Sequence, residues 1–368
     1  MSTDKEFKLP FYVKAAAILI GLLATLTILY IAQHIIVPLV FAIIFAIVLH
    51  PVVNFFVQKK VNRVVAIVIT LILTFIVIAA FGALLFSQAS RFSESWPVLV
   101  TKFTRILNLT ISWAAGYFDI NAQKIHEWVT TTTGELINIS SAAIGHTLMT
   151  VGSGLMILFL VPVYIFMLLF YEPLLLEFIH RLFGNNNLSQ VNEIVTQIKN
   201  VIQRYLIGLV FEFVIVATLN IVVLLALGIE YAVLIGIIGA VVNVIPYIGG
   251  FVAVALPMIV AFATKDTGWY AFYVMIFYII IQFIDNHYII PKIVASKVKI
   301  NALFAIIVVL VGNALWGITG MFLSLPILAI VKIIFDHIEP LKSWGFLLGD
   351  TMPEFLKIKT ILLGKNKK

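Results

Sequence analysis

Two apolar stretches in the C-terminal half are each too long to cross a bilayer once and too broken to form one straight helix. Residues 231–263 carry Asn243, Pro246, Gly249 and Gly250 at their centre; residues 301–331 carry Gly312, Asn313, Gly317 and Gly320. A straight helix of about 32 residues would be roughly 48 Å long, against a hydrocarbon core about 30 Å thick. Proline removes a backbone donor, and glycine adopts backbone angles that other residues avoid. Folding back at its break turns each stretch into a re-entrant hairpin of two half-crossing arms. Irregular backbone survives at membrane depth only where protein buries it or it lines a cavity. Paired interrupted segments of this kind point to a transporter's binding site. A kinked continuous helix, its freed groups satisfied by neighbours, is the alternative.

Composition supports a membrane setting. Hydrophobic residues make up 62% of the chain and charged residues 11%, with a mean hydropathy of +1.13. A soluble domain would be about 45–50% apolar and about 25% charged. The apolar runs are longer than barrel strands and lack two-residue alternation, which excludes an outer-membrane barrel. The expected fold is therefore an all-α polytopic membrane protein. It has about six full transmembrane helices (15–31, 35–57, 64–86, 151–171, 206–227 and 269–290) plus the two hairpins. The first span follows Lys14, is too long for a signal-peptide core and is read as retained.

The pattern divides the chain into five parts. Residues 1–86 hold the first three helices. Residues 87–150 mix charges such as Arg91, Glu94, Lys102 and Glu135 with Trp96, Phe103, Trp113 and Trp128, and read as an extramembrane amphipathic helical insertion. Its mixed charge favours a protein contact over a lipid surface, because surface-lying helices usually carry strongly basic faces. Residues 151–187 hold the fourth helix and a loop, 188–340 the transport core, and 341–368 a basic tail.

The formal charge is +7, but the basic residues cluster at the ends of apolar runs. Lys59, Lys60 and Arg63 follow one run; Lys292, Lys297 and Lys299 follow another. That is the mark of membrane orientation, not of a nucleic-acid partner. If both broken stretches were single crossings, the 292–299 loop would fall outside, against the positive-inside bias. Two hairpins entering from opposite faces return that loop and both termini to the cytoplasm and give an inverted pair.

Several residues are candidates for function. Asn243, Pro246, Gly249 and Gly250 at the first tip, and Gly312 and Asn313 at the second, place freed backbone groups and amides near the midplane, where they suit a polar solute or an ion. Glycines alone would also fit close helix packing. Gln282, Asp285, Asn286 and Ile289 share one helical face. Intramembrane carboxylates are functional candidates by default, so Asp285 and Glu212 are read as possible ion-coupling groups. The competing reading pairs Asp285 with Lys292 near the interface and Glu212 with Arg204. His50 and His287 are expected to be structural, with no ligand-spaced partner for a metal. The chain has no cysteine, so disulfides and thiolate chemistry are excluded. No phosphate-binding loop or nucleophile elbow is present, which argues against an enzyme and against direct use of ATP. No cofactor is expected.

The runs Asn243-Val-Ile-Pro-Tyr-Ile-Gly249, Gln282-Phe-Ile-Asp-Asn286 and Ile289-Ile-Pro-Lys292, followed by Gly312, Gly317, Gly320 and Pro326, resemble the autoinducer-2 exporter family of bacterial membrane proteins, the PerM-type permeases. The similarity in layout spans nearly the whole chain and is most specific over 204–336. It implies export of autoinducer-2, a small polar signal of quorum sensing, by some members. It also implies a homopentamer of independent protomers, an elevator-like movement of the hairpins, and placement in the bacterial inner membrane. Other members resemble sodium/proton antiporters. Where many relatives carry a His-Pro pair before the second hairpin, this chain has Asn301-Ala302, which leaves the angle of that hairpin open. Three readings follow: an exporter of a small polar solute, a cation/proton antiporter, and a non-transporting membrane scaffold that uses 87–150 to bind partners.

Overall fold

The computed structural model describes residues 10–118, 159–183, 188–244, 249–265, 267–294 and 300–350. The described residues form eleven α-helices. They are α1 (Phe11–Ile31), α2 (Gln33–Gln58), α3 (Arg63–Phe118), α4 (Phe159–Phe170), α5 (Glu172–Phe183), α6 (Leu188–Ala226), α7 (Ala232–Asn243), α8 (Gly249–Thr264), α9 (Trp269–Ile284), α10 (Ala302–His337) and α11 (Lys342–Leu348). A π-helical segment, Asp285–Val294, continues α9. One isolated bridge joins Ile300 to Gly349.

Among the described residues, six helices are long and apolar enough to cross a membrane: α1, α2, the first part of α3, α6, α9 with the start of its π extension, and α10. α4 and α5 meet at a 64° bend. The chain is a polytopic all-α membrane protein.

Two expected helix ends fall inside longer helices. α3 does not stop near Phe86; it runs unbroken to Phe118, and Phe103 packs edge-on to Phe262 of α8 with ring centroids 6.1 Å apart. The remainder of the predicted insertion, 119–150, lies outside the described residues. The span expected over 206–227 likewise begins earlier, as part of one helix, α6. At 39 residues it is roughly 58 Å long.

α6 is the spine of the core. Its buried face carries Ile202, Tyr205, Leu209, Glu212, Val216, Asn220 and Leu224, a spacing that holds one side of a helix against neighbours. α7 and α8 fold against it as the first hairpin. Their 12 and 16 residues correspond to about 18 and 24 Å, each short of the hydrocarbon core. A Cβ added to Gly249 would overlap the Val242 carbonyl and crowd the Asn243 Cα, so the arms meet immediately on either side of 245–248.

The second hairpin lies within α10. Helical geometry fails at Trp316 (φ −135°) and Gly317 (φ +61°, ψ −142°), the latter a left-handed angle suited to glycine. In a straight helix, Gly312 and Gly320 would stand about 12 Å apart. Here a Cβ on either would strike the carbonyl of the other, so the arms are pressed backbone to backbone. Asn301 settles how this hairpin begins: its Oδ1 accepts from Leu303 N–H at 2.9 Å and caps the helix. At the tip, Trp316 Nε1 donates to the Leu29 carbonyl of α1 at 3.0 Å.

Both tips approach one apolar cluster. Val244, beside the first break, and Trp316, at the second, pack against Ile44, Ile202, Tyr205, Leu206, Leu209 and Leu323.

Candidate functional site

Three elements bring the polar groups of the core together. α6 supplies Glu212, the end of α7 supplies Asn243, and the junction of α9 with its π extension supplies Gln282 and Asp285. Pro291 has no amide hydrogen, so it cannot donate to a carbonyl one helical turn back; the wider π turn spans the segment that holds it. π segments inside helices are frequent at functional sites, and this one begins at Asp285.

Asp285 is fully buried and Glu212 is 3% exposed. Asn243 Nδ2 donates to Asp285 Oδ2 at 2.7 Å, a charge-assisted bond of the stronger kind when the carboxylate is ionised. Asp285 Oδ1 is buried with no partner among the described residues. α6, which carries Glu212, packs along the π segment that begins at Asp285. No ion pair links Glu212 to Arg204, which is exposed at the end of the apolar stretch.

Gln282 completes the group from one turn before Asp285. Its amide lies 2.7 Å from where a Cβ of Gly250 would stand, so the second arm of the hairpin has room for this contact only with glycine. The amide forms no hydrogen bond to a described residue. The cluster thus offers one free carboxylate oxygen, one free carboxamide and a second carboxylate.

The predicted residues fall into two sets. Asn243, Gly249, Gly250, Gln282, Asp285 and Glu212 come together around the first hairpin. Gly312 is buried, but its partners are Gly320 and Ser324, so it shapes the second hairpin. Asn313 and Asn286 are both exposed and stand outside this cluster. Pro246 lies outside the described residues. Among the described residues, no three His, Asp or Glu side chains gather as a metal site.

Two buried groups add to the picture. Asn220 stands two turns beyond Glu212 on the same face of α6, and Tyr278 stands two turns before Asp285 on α9. A Cβ on Gly239 would lie 3.2 Å from Asn220 Nδ2 and 3.7 Å from Tyr278 Oη. Asn220 Oδ1 and the Tyr278 hydroxyl have no partner among the described residues. In sequence, Tyr278 was hidden in an aromatic-rich run; only its phase with Asp285 could have marked it.

A separate charged node ties the helix ends. Glu172 accepts from Arg63 at 2.9 Å and Lys199 at 2.6 Å, and His50 Nε2 lies 3.0 Å away. It stands at the bend beyond α4. Burial alone would raise its pKa, but hydrogen bonds and charge from His50 and Lys199 bring it down to about 2.

A membrane-embedded helical core with two folded-back hairpins and buried, partly unpartnered carboxylates defines a membrane transporter. This chain belongs to the AI-2E transporter family, whose model matches residues 19–339. It is 32% identical over 111 residues to "Putative transport protein YueF" of Bacillus subtilis, covering 30% of each chain. It is 30% identical to "Putative transport protein YrrI" of the same organism, over 30% of this chain and 31% of that one. It is 25% identical to "Putative permease PerM" of Escherichia coli over 60% of this chain and 61% of the relative. Each alignment thus spans less than two thirds of the relative's length.

Proposed function

We propose that this protein is a secondary transporter that exports a small polar solute of the autoinducer-2 type across the bacterial inner membrane, with both termini cytoplasmic. The observation that carries the reading is the buried Asp285, held by Asn243 on one oxygen and unpartnered on the other. A free carboxylate oxygen and the free Gln282 amide suit hydroxyl and carbonyl groups of a small solute. Two uncompensated negative charges in a water-poor interior are costly. The Glu212–Asp285 pair is therefore where a proton or cation would be held and exchanged for solute.

The hairpins act as the moving part of an elevator-like cycle. α1 has no buried residue, which leaves its apolar surface for lipid and for neighbouring copies in a homopentamer. The same carboxylate pair supports a second reading, a sodium/proton antiporter.

The deciding experiment is efflux of preloaded autoinducer-2 from proteoliposomes, with and without an imposed pH gradient. Gradient-dependent efflux above protein-free vesicles is expected. Sodium-dependent proton flux with no solute movement would replace this reading with the antiporter, and neither flux would remove both. Cysteine labels at Lys265→Cys and Lys292→Cys should be reachable from the periplasmic and the cytoplasmic face respectively. Labelling of Lys292→Cys from the periplasmic face, with Lys265→Cys reached from the cytoplasm, would undo the opposed-hairpin topology.

A further inference from the structure

We infer that a polar pocket between α2 and α6, apart from the Glu212–Asp285 cluster, holds the phosphate-bearing headgroup of an anionic phospholipid. The pocket has a volume of about 520 Å³, and its lining includes His50, Asn54, Phe55, Thr196, Lys199 and Asn200. It opens where α2 ends and the basic loop begins, so it sits where a span meets water.

Its chemistry suits an anion. Lys199 gives one hydrogen bond to Glu172, and an ammonium group has three donors. Lys59 is held over the ring of Phe55, with its nitrogen 4.3 Å from the centroid. Asn200 and Thr196 make no hydrogen bond to described residues, and Asn54 has only His50, at 3.4 Å. The nearby carboxylate, Glu172, is already engaged by Arg63, Lys199 and His50. Positive charge and unspent donors therefore prevail. Basic pockets between transmembrane helices on the cytoplasmic side are recognised headgroup sites.

A lipid fits better than a free phosphate ester because of what borders the pocket. Val52 and Phe55 on α2, and Ile207 and Phe211 on α6, are exposed apolar side chains. Phe55 lines the pocket, and Ile207 and Phe211 follow about one and two turns beyond its lining residue Gln203 on α6, so one ligand with an anionic head and acyl chains satisfies both surfaces.

The test uses the delipidated full chain in detergent, titrated with phosphatidylglycerol, phosphatidylcholine or glycerol phosphate and read by native mass spectrometry. Asn54→Asp and Asn200→Asp place a negative charge at the pocket through exposed positions. Asn192→Asp adds the same charge to α6 outside the lining. Phosphatidylglycerol should bind in preference to phosphatidylcholine, and the two pocket variants should weaken it about fivefold while Asn192→Asp does not. Glycerol phosphate binding as tightly as the lipid would assign the pocket to a free anion and overturn the lipid assignment. Equal binding of both lipids, or an equal effect of all three variants, would overturn the site.

Discussion

Asn243, on the first hairpin, donates a 2.7 Å hydrogen bond to Asp285, which is fully buried and lies 42 residues further along the chain. This bond fastens the hairpin tip to the start of the π segment. It also uses one of the two carboxylate oxygens and fixes where the other is offered.

Replacing Asn243 tests that fastening. Asn243→Leu leaves Asp285 with no partner among the described residues, and a hydrogen bond to a charged group contributes about 1.5–3 kcal/mol. Solute efflux should fall to the protein-free level, while size-exclusion behaviour and folded yield stay unchanged. Normal flux would take the hairpin tip out of the site.

Neutralising the carboxylates tests coupling. Asp285→Asn and Glu212→Gln each remove one buried ionisable carboxyl while keeping size. Each should leave efflux that no longer responds to an imposed pH gradient. If the double variant still follows the gradient, coupling lies elsewhere.

The second hairpin predicts an order of stabilities. Gly312→Ala and Gly320→Ala drive a methyl into the facing backbone, and such overpacking costs about 1–3 kcal/mol or more. Gly317→Ala meets no atom within 4 Å and suffers only from its backbone angles, φ +61° and ψ −142°, a region kept almost wholly for glycine that costs other residues about 1–3 kcal/mol, without the parting of two packed backbones that the other two require. Thermal unfolding in detergent should rank Gly317→Ala above the other two. The reverse order would mean the arms separate readily.

Glu172 sets a pH window. Its pKa is depressed from 4.5 to about 2, so its contribution to stability is complete above the ordinary carboxylate range and is lost as pH falls toward 2. Glu172→Gln should lower the unfolding temperature at pH 7, and the gap to the parent protein should close as pH drops from 4.5 to 2. A gap constant with pH would show that the node contributes packing rather than charge.

Much of this architecture was legible in the residue order, for definite reasons. Long apolar runs identify spans, and a glycine-rich break in an overlong run forces a return. Asp285 and Gln282 were visible because their helical spacing puts them on one face. The exposed placement of Asn313 was not legible, since the break at Trp316–Gly317 sets how each arm is turned. The continuity of α3 past Phe86 escaped notice because helical phase survives a change from apolar to mixed composition. The Glu172 node was invisible because Arg63 lies 109 residues away; only tertiary contact makes them partners. Asn301 caps the start of the second hairpin, a role that its side-chain oxygen fits but that the sequence comparison left open.

The indole of Trp316 reaching the Leu29 carbonyl has a mechanical consequence. α1 buries none of its residues, yet one of its last carbonyls, left without a helical donor, is gripped by the innermost bend of the second hairpin. The outermost rod and the central loop are therefore one lever. A change in bilayer thickness that tilts the rod would tug directly on the loop.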